Sequence, residues 1–220
     1  MKNGLHKFKI YKNGFTLAEV LITLVIIGVV AAMTIPTAIN NMQDQERKTQ
    51  FAKAYSTIKQ AMYETEMKDF FGYAECYYGS GTDARVSQCT AFFNALSKNL
   101  SLQKVCAGNA KTDGCVPTYK SYATSSGCNG FSENNINKYN TVYVLSDGQI
   151  IIPYGGMPLF ILDINGHKGP NASGFDVHSF RIFRNKDNTG LYLEDDGCLP
   201  LVSGGKMPSR MIQYSLSGRK

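Results

Sequence analysis

From Phe15 to Ile35 the chain reads FTLAEVLITLVIIGVVAAMTI, 21 residues with a single charge, Glu19. As a helix rising about 1.5 Å per residue, this run spans about 31 Å, the thickness of a bilayer's hydrocarbon core. The residues before it, MKNGLHKFKIYKNG, hold Lys2, Lys7, Lys9 and Lys12 and no acid. The positive-inside rule therefore predicts one inner-membrane span with a cytoplasmic N-terminus and everything after Ile35 in the periplasm. A secretory signal peptide has a shorter apolar run, roughly 7–15 residues. A plain signal anchor fits the length but gives no reason for Gly14 directly before Phe15, or for a carboxylate within the run.

The leader also revises the charge. The chain has 23 Lys and Arg against 17 Asp and Glu, a net +6 that would ordinarily raise nucleic acid or anionic surfaces as partners. Four of those bases lie in residues 1–14, and without them 19 bases face 17 acids, a net +2. Charge alone does not support a nucleic-acid partner.

The string Gly14-Phe15-Thr16-Leu17-Ala18-Glu19-Val20 resembles the type III signal of the type IV pilin and pseudopilin family. That signal is a short basic leader, a Gly, a Phe, and an acid four residues later, opening an apolar helix. The resemblance covers roughly residues 1–60. It implies cleavage after Gly14 by a prepilin peptidase, N-methylation of the new terminus at Phe15, and retention of the apolar segment. It further implies that Glu19 pairs with the Phe15 amine of a neighbouring subunit as a helical filament grows from an inner-membrane assembly platform. A carboxylate in an apolar helix costs on the order of 3 kcal/mol on insertion scales. Low dielectric strengthens its attraction to a cation at the same depth.

Beyond Pro36, which is expected to kink the helix rather than end it, an amphipathic pattern resumes with Phe51, Tyr55, Ile58 and Met62 on one face. Residues 71–140 are rich in Gly, Ser and Asn and read as a Cys-rich loop region, apart from a short helical stretch at Ala91–Leu102. After Asn140, strand patterns appear at 141–145, 149–154, 159–164, 178–184 and 190–194. The expected organisation is a leader (1–14), a transmembrane and filament-core helix (15–36), its amphipathic continuation (37–70), the Cys-rich region (71–140) and an antiparallel head of four or five strands (141–220). The fold class is α+β, a long N-terminal helix packed against an antiparallel sheet, similar to pilins.

Six cysteines, Cys76, Cys89, Cys106, Cys115, Cys128 and Cys198, all follow the membrane segment and none are spaced Cys-x-x-Cys. That pattern fits disulfides in an oxidising space better than zinc, and the sequence does not choose among the 15 pairings that six cysteines allow. Tyr73, Tyr77 and Tyr78 either pack onto the helix or form a binding face. Between two strands, the stretch Asp163 to Asp176 alternates oxygen donors with turn residues. Asp163, Asn165, Asn171 and Asp176 could supply four of the six to eight oxygens of a calcium site, although Lys168 sits in the same loop. Asx-turns of a bare connection account for the same residues. The stretch also resembles the C-terminal loop of major pseudopilins, which implies calcium as the one cofactor to consider. No catalytic signature is present, and His167 and His178 read as loop and strand residues. The expected function is a structural subunit, a pseudopilin or minor pilin of a type II secretion pseudopilus or type IV pilus. The alternative is a membrane-anchored binding module that never polymerises.

Overall fold

In a computed structural model the chain is described over residues 14–69, 82–120, 131–138, 140–154, 158–185 and 190–217. The leader lysines, Tyr73, Tyr77, Tyr78, Cys76 and Cys128 lie outside these residues, as does the side chain of Cys89. The chain divides into two units, Met1–Asp44 and Gln45–Lys220, and the first helix, α1 (Leu17–Asp69), contributes to each.

In the first unit α1 is apolar all round. Its most apolar 18-residue window has a mean hydropathy of 2.5 and buries none of its residues within the protein. A helix of this kind belongs in lipid or against other helices. Pro36 lies inside α1 and does not end it. Proline removes one backbone hydrogen bond of the ladder, and the helix continues on both sides.

In the second unit α1 turns amphipathic. Phe51, Ala54, Ile58, Ala61, Met62 and Thr65 are buried, at the three-and-four spacing of one helical face. They pack on a six-stranded sheet formed by β1 (Leu102–Ala107), β2 (Thr141–Leu145), β3 (Ile150–Tyr154), β4 (Leu159–Asp163), β5 (Val177–Arg184) and β6 (Leu191–Asp195). The strands neighbour one another in chain order and every pairing is antiparallel. A second helix, α2 (Thr82–Lys98), adds Phe92, Phe93 and Leu96 to the core under α1. Two ion pairs tie α1 to the sheet, Lys53 with Asp147 at 2.8 Å and Glu66 with Arg184 at 3.2 Å.

The sheet is covered on both faces. Phe160 and Leu162 point into the core shared with α1, whereas Leu159 and Ile161 point into a second core. The latter is closed by Cys106, Cys115, Val116, Tyr119, Phe131 and Ile136, the last on the short α3 (Glu133–Lys138). This corrects the reading of 71–140 as a loop region. The helix expected at Ala91–Leu102 is the end of α2, which stops at Lys98, and the rest of the region adds β1 and α3, with Ala110, Cys115, Val116, Tyr119, Phe131 and Ile136 in the second core. The signal was weak because β1 is an edge strand in which only Cys106 is fully buried, so no period-two alternation marks it. Its strand conformation comes from pairing with β2, Leu102 opposite Leu145 and Cys106 opposite Val142. The strand count of four or five is low by the same element. Residues 141–220 are not all sheet either. Their last described residues form α4 (Pro208–Ser217), whose first residue is proline, the position where a missing N–H costs nothing.

His178 on β5 is fully buried against Phe51, with ring centroids 4.9 Å apart in an edge-on arrangement. Burial pushes its pKa down to about 3, so it stays neutral in the fold.

Candidate functional site

Two groups of residues carry functional content. The first opens α1. Gly14 is exposed, and a Cβ placed on it would meet nothing within 4 Å. Phe15 is 88% exposed. Neither packing nor backbone conformation requires a glycine at 14, so any requirement for one lies in whatever acts on the chain.

Thr16 and Glu19 close the helix start on each other. The Glu19 carboxylate accepts the Thr16 backbone N–H at 2.8 Å and the Thr16 hydroxyl at 2.8 Å, while the Glu19 N–H donates to Thr16 Oγ1 at 3.3 Å. This is a capping box, a Thr and a Glu three residues apart satisfying free donors of the first turn. From the sequence alone, Glu19 is an acid waiting for a partner in another subunit. In the single chain it already holds two hydrogen bonds, and the Thr-x-x-Glu spacing was the signal that could have revealed them. Thr16→Val is expected to weaken the helix start by about 1 kcal/mol and to lower filament yield. Thr16→Ser is expected to keep it, as read by the filament fraction sheared from cells. Equal yields from both variants would discard this role for the hydroxyl.

The second group is the connection from β4 to β5. Asp163 closes β4 and is fully buried. Its Oδ1 accepts the backbone N–H of Asn165 at 3.2 Å and of Gly166 at 2.7 Å. Asp176 is also fully buried and accepts the N–H of Asn171 and of Ala172, each at 2.8 Å. The Asn165 amide donates to Gly169 O at 2.9 Å, and Ile164 N–H donates to Asp176 O at 2.9 Å. These bonds bring the four sequence-chosen residues into one cluster. Gly166, with φ +60°, is required there, because a Cβ would collide with the carbonyl oxygen of Gly148. Lys168 is exposed.

Three buried oxygens in the cluster, Asp163 Oδ2, Asn165 Oδ1 and Asn171 Oδ1, accept no hydrogen bond. Burial raises the pKa of Asp163 to about 7, and the Asp176 charge adds to the effect. The Tyr119 hydroxyl beside the carboxylate offsets a little of this. Asp176 is raised too, chiefly by burial, against the N–H groups it accepts. One carboxylate and two amides thus hold three unfilled oxygens, the donor type a hard cation such as calcium takes, although fewer than the six to eight it needs. Such buried acceptors are costly without a donor or a cation.

Of the cysteines, Cys106 and Cys115 are bonded to each other across a Cα separation of 6.6 Å, joining β1 to the chain that covers the second core. Cys198 is also disulfide-bonded.

Residues 10–35 match the family model for the prokaryotic N-terminal methylation motif, which is the prepilin-type signal of type IV pilins and pseudopilins. No curated protein and no solved structure matches the chain. The motif supports a pilin- or pseudopilin-type subunit, processed by prepilin peptidase and assembled with other pilin subunits. With the apolar helix that follows, it points to membrane anchoring. The family so marked is structural rather than enzymatic, and the α+β arrangement of a long N-terminal helix and an antiparallel sheet is pilin-like.

Proposed function

We propose that this chain is a pseudopilin or minor pilin that inserts once into the inner membrane, N-terminus inward and head in the periplasm. It is cut after Gly14 and methylated at Phe15. It then joins a filament on an inner-membrane platform through the pairing of Glu19 with a neighbour's terminal amine. The observation that carries this reading is the N-terminal signal, with Gly14 and Phe15 exposed at the mouth of an uncovered apolar helix. Glu19 would exchange its bonds to Thr16 for a cation, a trade that low dielectric favours. The Asp163–Asp176 cluster favours a pseudopilin of type II secretion over a pilus subunit. There the filament would act as a piston, and calcium held by Asp163, Asn165, Asn171 and Asp176 would lock the β4–β5 connection by neutralising its two carboxylates. Intact-mass measurement of the native protein tests the processing. The expected mass lacks residues 1–14, carries one methyl group and is short two hydrogens per disulfide. An uncut monomeric anchor would instead indicate a binding module that does not polymerise.

A further inference from the structure

A cavity of about 290 Å³ lies between β5, β6 and the chain that leads into α4, apart from the Asp163–Asp176 oxygens and from the helix start. Its walls are mixed in a particular way. Leu199, Leu201 and Met207 are apolar, and Leu201 and Met207 are exposed as well, so the space opens to solvent. The polar residues are Ser173, His178, Ser179 and Asp195. His178 is fully buried, and its ring nitrogens have no partner in good hydrogen-bond geometry, only the Phe175 backbone lying close enough to act on the ring. A buried imidazole left this way is a cost to the fold unless something else fills it. Asp195 accepts the Gly197 N–H at 3.0 Å and a backbone N–H from Ser209 at the start of α4, and no Lys or Arg is among the described residues that line the space. Acceptors therefore outnumber donors in a compartment with apolar walls, which is the usual composition of a small-ligand site.

We propose that this cavity binds a small ammonium group carried on an apolar body, the cation facing Asp195 and His178 and the body lying against Leu199, Leu201 and Met207. Water alone would serve the imidazole but would leave the apolar wall wet. A neutral ligand of the same shape would forgo the carboxylate. An ammonium has three donors, and the Asp195 carboxylate and a His178 ring nitrogen offer acceptors for two of them, with the third left to solvent at the open rim. The inference stands apart from the filament reading, since a membrane-anchored monomer would carry the same cavity.

The test uses the full chain in lipid nanodiscs at neutral pH with histidine labelled at its ring nitrogens, titrated with benzylamine and, separately, with benzyl alcohol. The expected result is a saturable shift of the His178 signals with the amine, while His167 stays unmoved. The amine should bind roughly tenfold more tightly than the alcohol, the usual value of a charge-assisted contact. Asp195→Asn should erase that preference, and Leu199→Trp should block both ligands by filling the space. Met207→Trp at the exposed rim serves the same purpose if the Leu199 variant does not fold. The proposal is overturned by an absence of saturable shift, by equal affinity for amine and alcohol, or by a response that survives both the Asp195 and the cavity-filling substitutions.

Discussion

Glu19→Leu is expected to reduce filament yield to background while the protein still inserts and is still cut after Gly14. Removing the carboxylate makes the apolar helix easier to insert, by about 3 kcal/mol on insertion scales, so loss of assembly cannot be blamed on membrane entry. What disappears is the partner for the amine that cleavage creates at Phe15. Glu19→Gln separates the two functions of this side chain. The amide can still accept the Thr16 N–H and hydroxyl and so retain the helix cap, but it carries no charge for a neighbour. The expected order of sheared filament is wild type far above Gln, with Gln and Leu alike. Wild-type yield from Glu19→Gln would move the role of this residue from charge pairing to capping, and wild-type yield from Glu19→Leu would remove both.

The second large effect concerns the β4–β5 connection. Asp163 has a folded pKa of about 7 against an ordinary value of 3.8. A carboxyl raised in this way favours the fold below pH 4, and that contribution is lost as pH climbs to 7, at about 1.4 kcal/mol per pH unit. His178 runs the other way, with about 3 in the fold against 6.5 unfolded. Its neutral form costs nothing above pH 6.5, but stability falls as pH drops from there towards 3. Between about pH 4 and 6.5 the two slopes oppose each other. Without metal, His178→Phe is therefore expected to become more stable relative to wild type as pH falls, and Asp163→Asn less stable, measured by urea denaturation at several pH values. Calcium must displace the Asp163 proton, so its stabilisation of the wild type should weaken as pH falls through 7 and vanish in Asp163→Asn. A melting temperature indifferent to calcium and to chelator across that range would eliminate the cation site.

Much of the fold was readable because its signals are local. The membrane run announces itself by unbroken apolarity, the face through Phe51, Ile58 and Met62 by its helical period, and the strands β2 to β6 by short apolar and aromatic runs within one segment. Strand β1 and the cover on the second face did not. Gln103, Lys104 and Val105 are exposed on an edge, and only the partner strand forty residues away makes them a strand. Helix α4 was missed for a related reason, since its apolar positions, such as Met211, acquire meaning only against β5 and β6. The candidate site divides in the same way. Gly14, Phe15 and Glu19 stand together in sequence and were named from it. Cys106 and Cys115 could not be chosen from 15 pairings until the β1 turn brought them together. His178, read as a strand residue, also lines a cavity together with Asp195, seventeen positions further along the chain.

By itself the sequence determined that one segment is too apolar and too long for anything but lipid or other helices, and that its start carries the residues of a prepilin-type signal. These are properties of contiguous residues, and hydrophobic periodicity and motif spacing report them directly. Only the tertiary structure decided that the sheet is covered on both faces. It also decided which oxygens of the Asp163–Asp176 turn are buried without a donor, and that a neutral histidine and an acid share an apolar cavity. Those features depend on which distant segments exclude water from a given side chain, and burial of that kind is set by packing rather than by neighbours in the chain.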